Sequence, residues 1–449
     1  MTSVTRGYSL DVDDFGDPHI SFSHRGGSGP ILTCKNYLKY ATRTGGTWTV
    51  QAADSVGLQM WDRHSAMATN VASSSHVAYI HITGDCTTGP REIRHAIRTG
   101  STWIVEVVDL TSFDFRADVA TDPDENVHMV YRKAPASYAV RSGGSWTIEN
   151  IPTIAVNAGN CALAIHDGGA EVHAAVAGFS SEFNDTWYAV RQGGSWTVEN
   201  LGRGSDQCDI AVDNGGEPHL IWHKRDSAAD PDSVFYATKT GGAWAIESVD
   251  GNAGSATAGS ILIEVDENGN PHLVYQDLDG PLDSITYARK SGGVWQSETV
   301  DGDSIFAASI GFDLDPWGKP HLAYRRGSSA IRYATLDPAS SASPASGADP
   351  IRLTIVPNPA RVGEARILYE APVNRQFDLD IYDPSGRKVR SLAAGSLARS
   401  SGSAAWDGRD DAGRLVGAGT YLVRMTLTLP RLRGHQPKHQ PPAARTLAG

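Results

Sequence analysis

The sequence predicts an all-β protein, and three observations carry that prediction. A histidine-marked segment of about fifty residues is written seven times, at His19, His76, His128, His173, His219, His272 and His321. Within a copy, short alternating runs such as ILIEVD, HLVYQ, ITYARK and VWQSETV are separated by Gly, Pro, Asn or Asp, the pattern of strands joined by turns. Landmarks also keep fixed offsets. An Asp stands six residues before the His (Asp13, Asp122, Asp167, Asp213, Asp266, Asp315), with Asn70 once. A Trp stands eight residues after a Tyr-Ala step (Trp48, Trp103, Trp146, Trp196, Trp244, Trp295), with His95 replacing the Tyr once.

A four-stranded unit of this length, repeated seven times, specifies a seven-bladed β-propeller over residues 1–336. The strands of one unit are called A to D, from inner to outer. The A–B link begins with Asp and carries Gly three residues on, a type I turn signal. The C–D link is Gly-Gly before Trp, a tight hairpin. Length varies only in the B–C and D–A links, which in a propeller emerge on one face, and variable loops on a rigid scaffold are where binding resides.

The seventh unit has strands A, B and C but no Gly-Gly-x-Trp strand, whereas Thr2-Ser3-Val4 aligns with the end of a D strand. The chain is therefore expected to begin inside its closing strand, with a natural product extending upstream. No secretory signal is present at the N-terminus as given. Residues 337–350, DPASSASPASGADP, read as a Ser/Ala/Pro linker. Residues 351–429 then read as about seven short strands, a small Ig-like β-sandwich. The tail at 430–449 has four basic residues, four prolines and no acid, and is expected to be disordered.

Pro357-Asn358-Pro359, Ile381-Tyr382-Asp383 with Gly386-Arg387, Trp406-Asp407-Gly408-Arg409-Asp410 and Gly419-Thr420-Tyr421 follow one another in an order that resembles the FlgD-like immunoglobulin fold and the sorting domains of type IX secretion. That resemblance implies an exported or surface-retained bacterial protein and the outer-membrane secretion machinery as a partner. The repeats resemble the PHISYYD-type repeats of exported bacterial proteins and, more distantly, sialidase propellers; this second resemblance implies architecture rather than activity.

A formal charge of −12 argues against nucleic acid or an anionic membrane as partner, and no run of eighteen apolar residues is available to span a bilayer. The seven histidines and six tryptophans, one per unit, are expected to serve packing. Acids on strand A (Asp11, Asp118, Asp209, Glu264, Asp313) alternate with apolar neighbours and are expected to border the central channel, as a solvated acidic lining or as oxygen ligands for Ca²⁺; no other cofactor is expected. Cys34 with Cys86, and Cys161 with Cys208, fall on neighbouring units and are disulfide candidates in an exported chain.

Non-repeating polar and aromatic residues on the variable face are the binding candidates: Trp61, Asp62, Arg63, His64, His81, Arg91, Trp187, His223, Lys224, Arg225 and Arg326. Their chemistry suits a sugar or an acidic glycan. The primary reading is non-catalytic recognition of a glycan or surface protein, outside the cell or on its surface. A polysaccharide lyase or sialidase-like glycosidase is the alternative, with His64, His81 or His223 as base and Arg132 or Arg325 neutralising a carboxylate. A purely structural surface protein is a third reading. The sialidase Asp-box, Gly-x-Ser-x-Gly, HExxH and phosphate loops do not occur.

Overall fold

A computed structural model describes residues 4–13, 16–26, 35–44, 47–54, 65–70, 74–82, 90–111, 117–152, 157–166, 169–179, 184–204, 207–224, 233–250, 260–277, 284–301, 310–326, 330–335, 352–356, 365–370, 376–383, 387–397, 401–417, 419, 421–428 and 443–447. The chain divides into two compact units, Met1–Asp13 with Asp17–Asp337, and Pro338–Gly449 with Asp14–Gly16.

The first unit is a succession of antiparallel meanders, each in the strand order A-B-C-D. Sheet one comprises Val4–Val12, Pro18–Gly26, Lys35–Thr44 and Thr47–Asp54; sheet two, Ala66–Thr69, Ser75–Ile82, Arg91–Thr99 and Thr102–Thr111. Sheet three comprises Ala117–Thr121, Val127–Tyr131, Ser137–Ser142 and Ser145–Asn150; sheet four, Asn157–His166, Glu171–Phe179, Asn184–Gln192 and Ser195–Arg203. Sheet five comprises Cys208–Val212, Pro218–Lys224, Ser233–Thr240 and Ala243–Asp250; sheet six, Ile261–Val265, Pro271–Asp277, Ser284–Ser291 and Val294–Asp301. Sheet seven has three strands among the described residues, Ile310–Leu314, Pro320–Arg326 and Ala330–Thr335.

Strand A of each sheet touches strand A of the next, and strand A of sheet seven touches strand A of sheet one, a closed, propeller-like order. The seam is tight. A Cβ at Gly311 would stand 2.7 Å from the backbone nitrogen of Leu10, so only glycine fits there. The C–D hairpins turn as their Gly-Gly pairs require: Gly143 and Gly144, Gly193 and Gly194, Gly241 and Gly242, and Gly292 and Gly293 all have positive φ, the type I′ geometry that matches strand twist.

The apolar core lies between sheets, because both faces of strands B are covered. Ile80 and Ile93 of sheet two pack with Val119, Met129 and Tyr131 of sheet three. Ile20 and Phe22 of sheet one pack with Ala323, Ile331 and Tyr333 of sheet seven.

Two expectations are corrected. Val4 is paired with His24 inside sheet one, so it does not end an outer strand of sheet seven. Residues 443–447, expected to be disordered, form the strand Ala443–Leu447 paired with Tyr421–Thr428. The physical reason is that Tyr421–Thr428 would otherwise present a row of open amides and carbonyls. In the second unit that strand joins Lys388–Leu397, Gln376–Tyr382 and Tyr421–Thr428 in one sheet, and Arg352–Val356, Ala365–Glu370 and Ser401–Trp406 form the other. Ile355, Ile367, Phe377, Leu379, Trp406, Val423 and Met425 lie in the core of this unit.

Candidate functional site

The repeated histidine is consumed by structure. In sheet three, His128 Nε2 donates to Asp122 at 3.1 Å, which leaves Nδ1 to accept from the Tyr138 hydroxyl at 2.7 Å. Asp122 uses its other oxygen to accept from the Asn126 amide and fix the A–B turn. The same Asp bond holds His19 and His321, which accounts for the Asp six residues before the His in these sheets and for the Tyr that follows. His173, His219, His272 and His321 bond Tyr188, Tyr236, Tyr287 and Tyr333 in the same way, at 2.8, 2.6, 2.6 and 2.6 Å, and His19 bonds Tyr40. Burial holds the imidazoles of His128, His219 and His272 below the usual range and pushes that of His173 down to about 4.

Sheet two runs the chain of bonds in reverse. His95 Nδ1 donates to Glu106 at 2.8 Å, so its Nε2 accepts from His76 Nδ1 at 3.0 Å. His76 stays neutral, its pKa pushed down to about 3 by burial and by His95. With its proton on Nδ1, His76 has none on Nε2 to give to an acid, and Asn70 stands at the Asp position with its Oδ1 accepting from the Ser74 amide at 2.9 Å.

The repeated tryptophans clip neighbouring sheets together. Trp103, Trp196, Trp244 and Trp295 meet Tyr40, Tyr138, Tyr188 and Tyr236 edge-on at 5.0–5.5 Å between centroids. Trp244 Nε1 donates to Glu199 of the preceding sheet at 2.8 Å, and Lys239 reaches the same carboxylate at 2.5 Å. Glu149 and Glu247 receive Trp196 and Trp295 likewise.

All five strand-A acids line one cavity of about 400 Å³ enclosed by the A strands. Asp118 accepts from the Leu163 amide of the next sheet at 2.8 Å, Asp209 from Ile263 at 2.9 Å, and Asp313 from Val12 across the seam at 2.6 Å. Burial raises the Glu264 carboxyl well above its usual range, and the charges of Asp313, Asp209, Asp11 and Asp118 add to that rise. Burial pushes Asp313 up to about 7. Among the described residues no group of three or more Asp, Glu, His or Cys is placed to hold a metal ion. Three of the five expected Ca²⁺ ligands, Asp118, Asp209 and Asp313, act as inter-sheet hydrogen-bond acceptors, each holding an amide of the neighbouring sheet.

The candidate residues of the variable face are placed as follows. Trp61, Asp62, Arg63, His64 and Arg225 lie outside the described residues, as do Cys34 and Cys86. His81 lies at the B–C end of sheet two, opposite Glu92, and is 8% exposed; burial and Arg94 lower its pKa. Arg91 begins strand C beside it, opposite Ile82. Arg132 follows strand B of sheet three, close enough to Cys161 to oppose the burial that pushes that thiol up to about 12. Trp187 packs against the core between sheets three and four rather than standing free. His223 is 2% exposed; Lys224 ends strand B of sheet five, opposite Ser233. Arg325 and Arg326 end strand B of sheet seven, opposite Ile331 and Ala330. These residues are thus distributed over five sheets, at the same end of the strands.

Cys161 and Cys208 are both buried and are not bonded to each other: Cys208 Sγ donates to the Asn160 carbonyl at 3.8 Å, so the disulfide expected between them is not formed. The sequence reading also missed a polar cluster beside His81. The Asp54 carboxylate accepts from the Tyr79 hydroxyl at 2.5 Å and from Arg94 at 3.3 Å, and Arg94 also bonds Glu92 at 2.8 Å. The arrangement partly repeats one sheet on, where Asp109 accepts from Tyr131 and Lys133 at 2.8 and 2.6 Å. An Asp at the end of strand D, followed by a Tyr three residues after the next repeat His, was the signal available for it.

The geometry defines a propeller-like repeat unit and a separate Ig-like β-sandwich. Residues 366–430 match the FlgD Ig-like domain family. Among curated proteins none matches the chain by sequence. Among solved structures, an ulvan lyase described as a new polysaccharide lyase family is 12% identical, with a TM-score of 0.53 over 74% of this chain and 93% of its own. The fucose-binding lectin of Aleuria aurantia, a six-bladed β-propeller, is 14% identical, with a TM-score of 0.44 over 68% of this chain and 98% of its own. A Hadza microbial sialidase is 15% identical, with a TM-score of 0.42 over 74% of this chain and 65% of its own. No helix in the described residues is long and apolar enough to cross a membrane.

Proposed function

We propose that the first unit is a seven-bladed β-propeller that recognises a glycan through the face bearing its B–C and D–A links, without cleaving it. The observation that supports this reading is the dispersal of the candidate residues. Arg91, Arg132 and Arg325, all partly exposed, come from sheets two, three and seven and share one end of the strands, as the rim contacts of a binding face do. Acid–base cleavage needs a base within about 3 Å of the proton it removes, and His81 and His223 are buried. Glycan-active proteins built on a similar fold, the ulvan lyase among them, support the ligand class. That lyase also gives the second reading, cleavage of an acidic polysaccharide, with His64 as the remaining candidate base.

The FlgD-like match favours an exported or surface location, with the sandwich serving attachment or secretion through an outer-membrane machinery of the type IX kind. A glycan array probed with the full chain and with Arg91→Ala and Arg325→Ala variants tests the reading. Retention on one glycan class that falls in either variant supports it; retention unchanged in both places the site elsewhere.

A further inference from the structure

The five strand-A acids fall into two groups at two heights of the channel. Asp11, Glu264 and Asp313 stand opposite the repeat histidines His19, His272 and His321. They come from sheets one, six and seven, which are consecutive around the ring. Asp118 and Asp209 stand opposite Val130 and Ile221, two residues beyond the repeat histidines of sheets three and five. Two residues of strand make a step of about 7 Å. Sheet four lies between sheets three and five and contributes Asn160 to the same cavity wall. Each group therefore spans three consecutive sheets, and the two stand on opposite sides of the ring.

Asn160 adds an observation of a different kind. It is 5% exposed, and its Nδ2 donates to the Cys208 carbonyl of sheet five at 2.7 Å, which leaves its Oδ1 without a hydrogen-bond partner. A buried amide oxygen in that state calls for a donor. The wall around it carries five acids and, among its described residues, no Lys, Arg or His. The two groups also feel each other, since Asp118 and Asp209 are among the like charges that act on Glu264. Among the described residues no three acids are placed to share one metal ion, whereas a cavity of about 400 Å³ has the size for a small organic molecule.

We propose that the channel binds a short linear diamine, with one ammonium held by Asp118, Asn160 and Asp209 and the other by Glu264, Asp313 and Asp11. An ammonium has three donors and no acceptor, which matches two carboxylates and an amide oxygen at one pole and three carboxylates at the other. Without a cation these acids relieve their repulsion by holding protons, as the raised carboxyls of Glu264, Asp11 and Asp313 show. A bound diamine displaces those protons into solvent, so affinity rises with pH. The charges that bear on the three acids are those of one another, of Asp118, Asp209 and Asp315, and of His19. The site does not rest on the glycan reading, and the two are tested by separate measurements.

The test is calorimetry of the full chain with 1,4-diaminobutane in two buffers of different ionisation heat. Saturable one-to-one binding is expected, with heats that differ between the buffers because protons are released, and with affinity that falls from pH 8 to pH 6. The monoamine 1-aminobutane, which reaches one pole only, is expected to bind at least about tenfold more weakly. Unlike Asp118, Asp209 and Asp313, Glu264 bonds no amide of a neighbouring sheet among the described residues, so Glu264→Gln spares the strand contacts. That variant is expected to melt higher without ligand, as a buried acid beside like charges is removed, and to bind the diamine at least about tenfold more weakly. Should Glu264→Gln fold poorly, the proton release and the diamine-to-monoamine ratio of the wild type decide alone. No saturable heat, equal binding of the two amines, heats independent of buffer, or unchanged binding by a folded Glu264→Gln chain would overturn the proposal.

Discussion

Replacing His173 by Gln isolates the effect of one buried repeat histidine on acid stability. His173 is 2% exposed, accepts from the Tyr188 hydroxyl at 2.8 Å, and has its pKa pushed down to about 4 by burial, against an ordinary value of 6.5. The sign follows from proton binding. Between pH 6.5 and 4 the unfolded chain binds a proton at this residue and the folded chain does not, so stability is present above 6.5 and is lost as pH falls. At pH 5 the loss is about 2 kcal/mol relative to pH 7, since each pH unit is worth about 1.4 kcal/mol. Channel acids with raised pKa values, such as Asp313, work in the opposite direction, so the raw pH profile of the wild type mixes both. The difference between wild type and His173→Gln cancels them. Urea unfolding at pH 7, 6 and 5 is expected to show a cost of about 1–3 kcal/mol for the variant at pH 7, shrinking by about 2 kcal/mol at pH 5. A difference that is constant with pH would refute the account of these histidines as neutral, buried acceptors.

Other predictions concern the seams and the channel. Gly311→Ala forces a Cβ to within 2.7 Å of the Leu10 backbone and is expected to cost about 1–3 kcal/mol in urea unfolding; an effect under about 0.5 kcal/mol would contradict the tight closure between sheets seven and one. Asn70→Asp and His95→Tyr should each destabilise sheet two by about 1–3 kcal/mol, while the double variant, which restores the bonding order of the other sheets, recovers at least about 1 kcal/mol of their sum; strict additivity would count against the reversed bonds of His76. Calorimetry with Ca²⁺ after chelation is expected to show no heat and no change in melting temperature, because Asp118, Asp209 and Asp313 are held by amides; a stabilisation of several degrees would reinstate the ion.

The repeat architecture was legible because its landmarks are local. Gly-Gly before Trp dictates a two-residue hairpin whatever surrounds it, and Asp six residues before His spans a single turn. The roles of the acids were not legible. Period-2 alternation put Asp118 and Asp209 on the channel face, but only the neighbouring strand reveals that the Leu163 and Ile263 amides reach them first. Cys161 and Cys208 lie on adjacent inner strands as expected; what sequence adjacency could not supply was the direction of Cys208 Sγ, toward Asn160. Trp187 read as a loop aromatic because it precedes the Tyr188-Ala189 step by one residue, and the register with Val176 turns it into the core. The strand Ala443–Leu447 was hidden by the Pro-rich residues before it, since its pairing depends on an open edge twenty residues upstream rather than on its own composition.

The central claim is recognition of a glycan without cleavage, and one incubation tests it most directly. The purified chain is mixed with a panel of neutral and acidic polysaccharides, and both retention of the protein and release of products are read. Retention on one polysaccharide class with no new reducing or unsaturated ends is the predicted result. Steady release of unsaturated or reducing ends, or no retention on any polysaccharide, would contradict it.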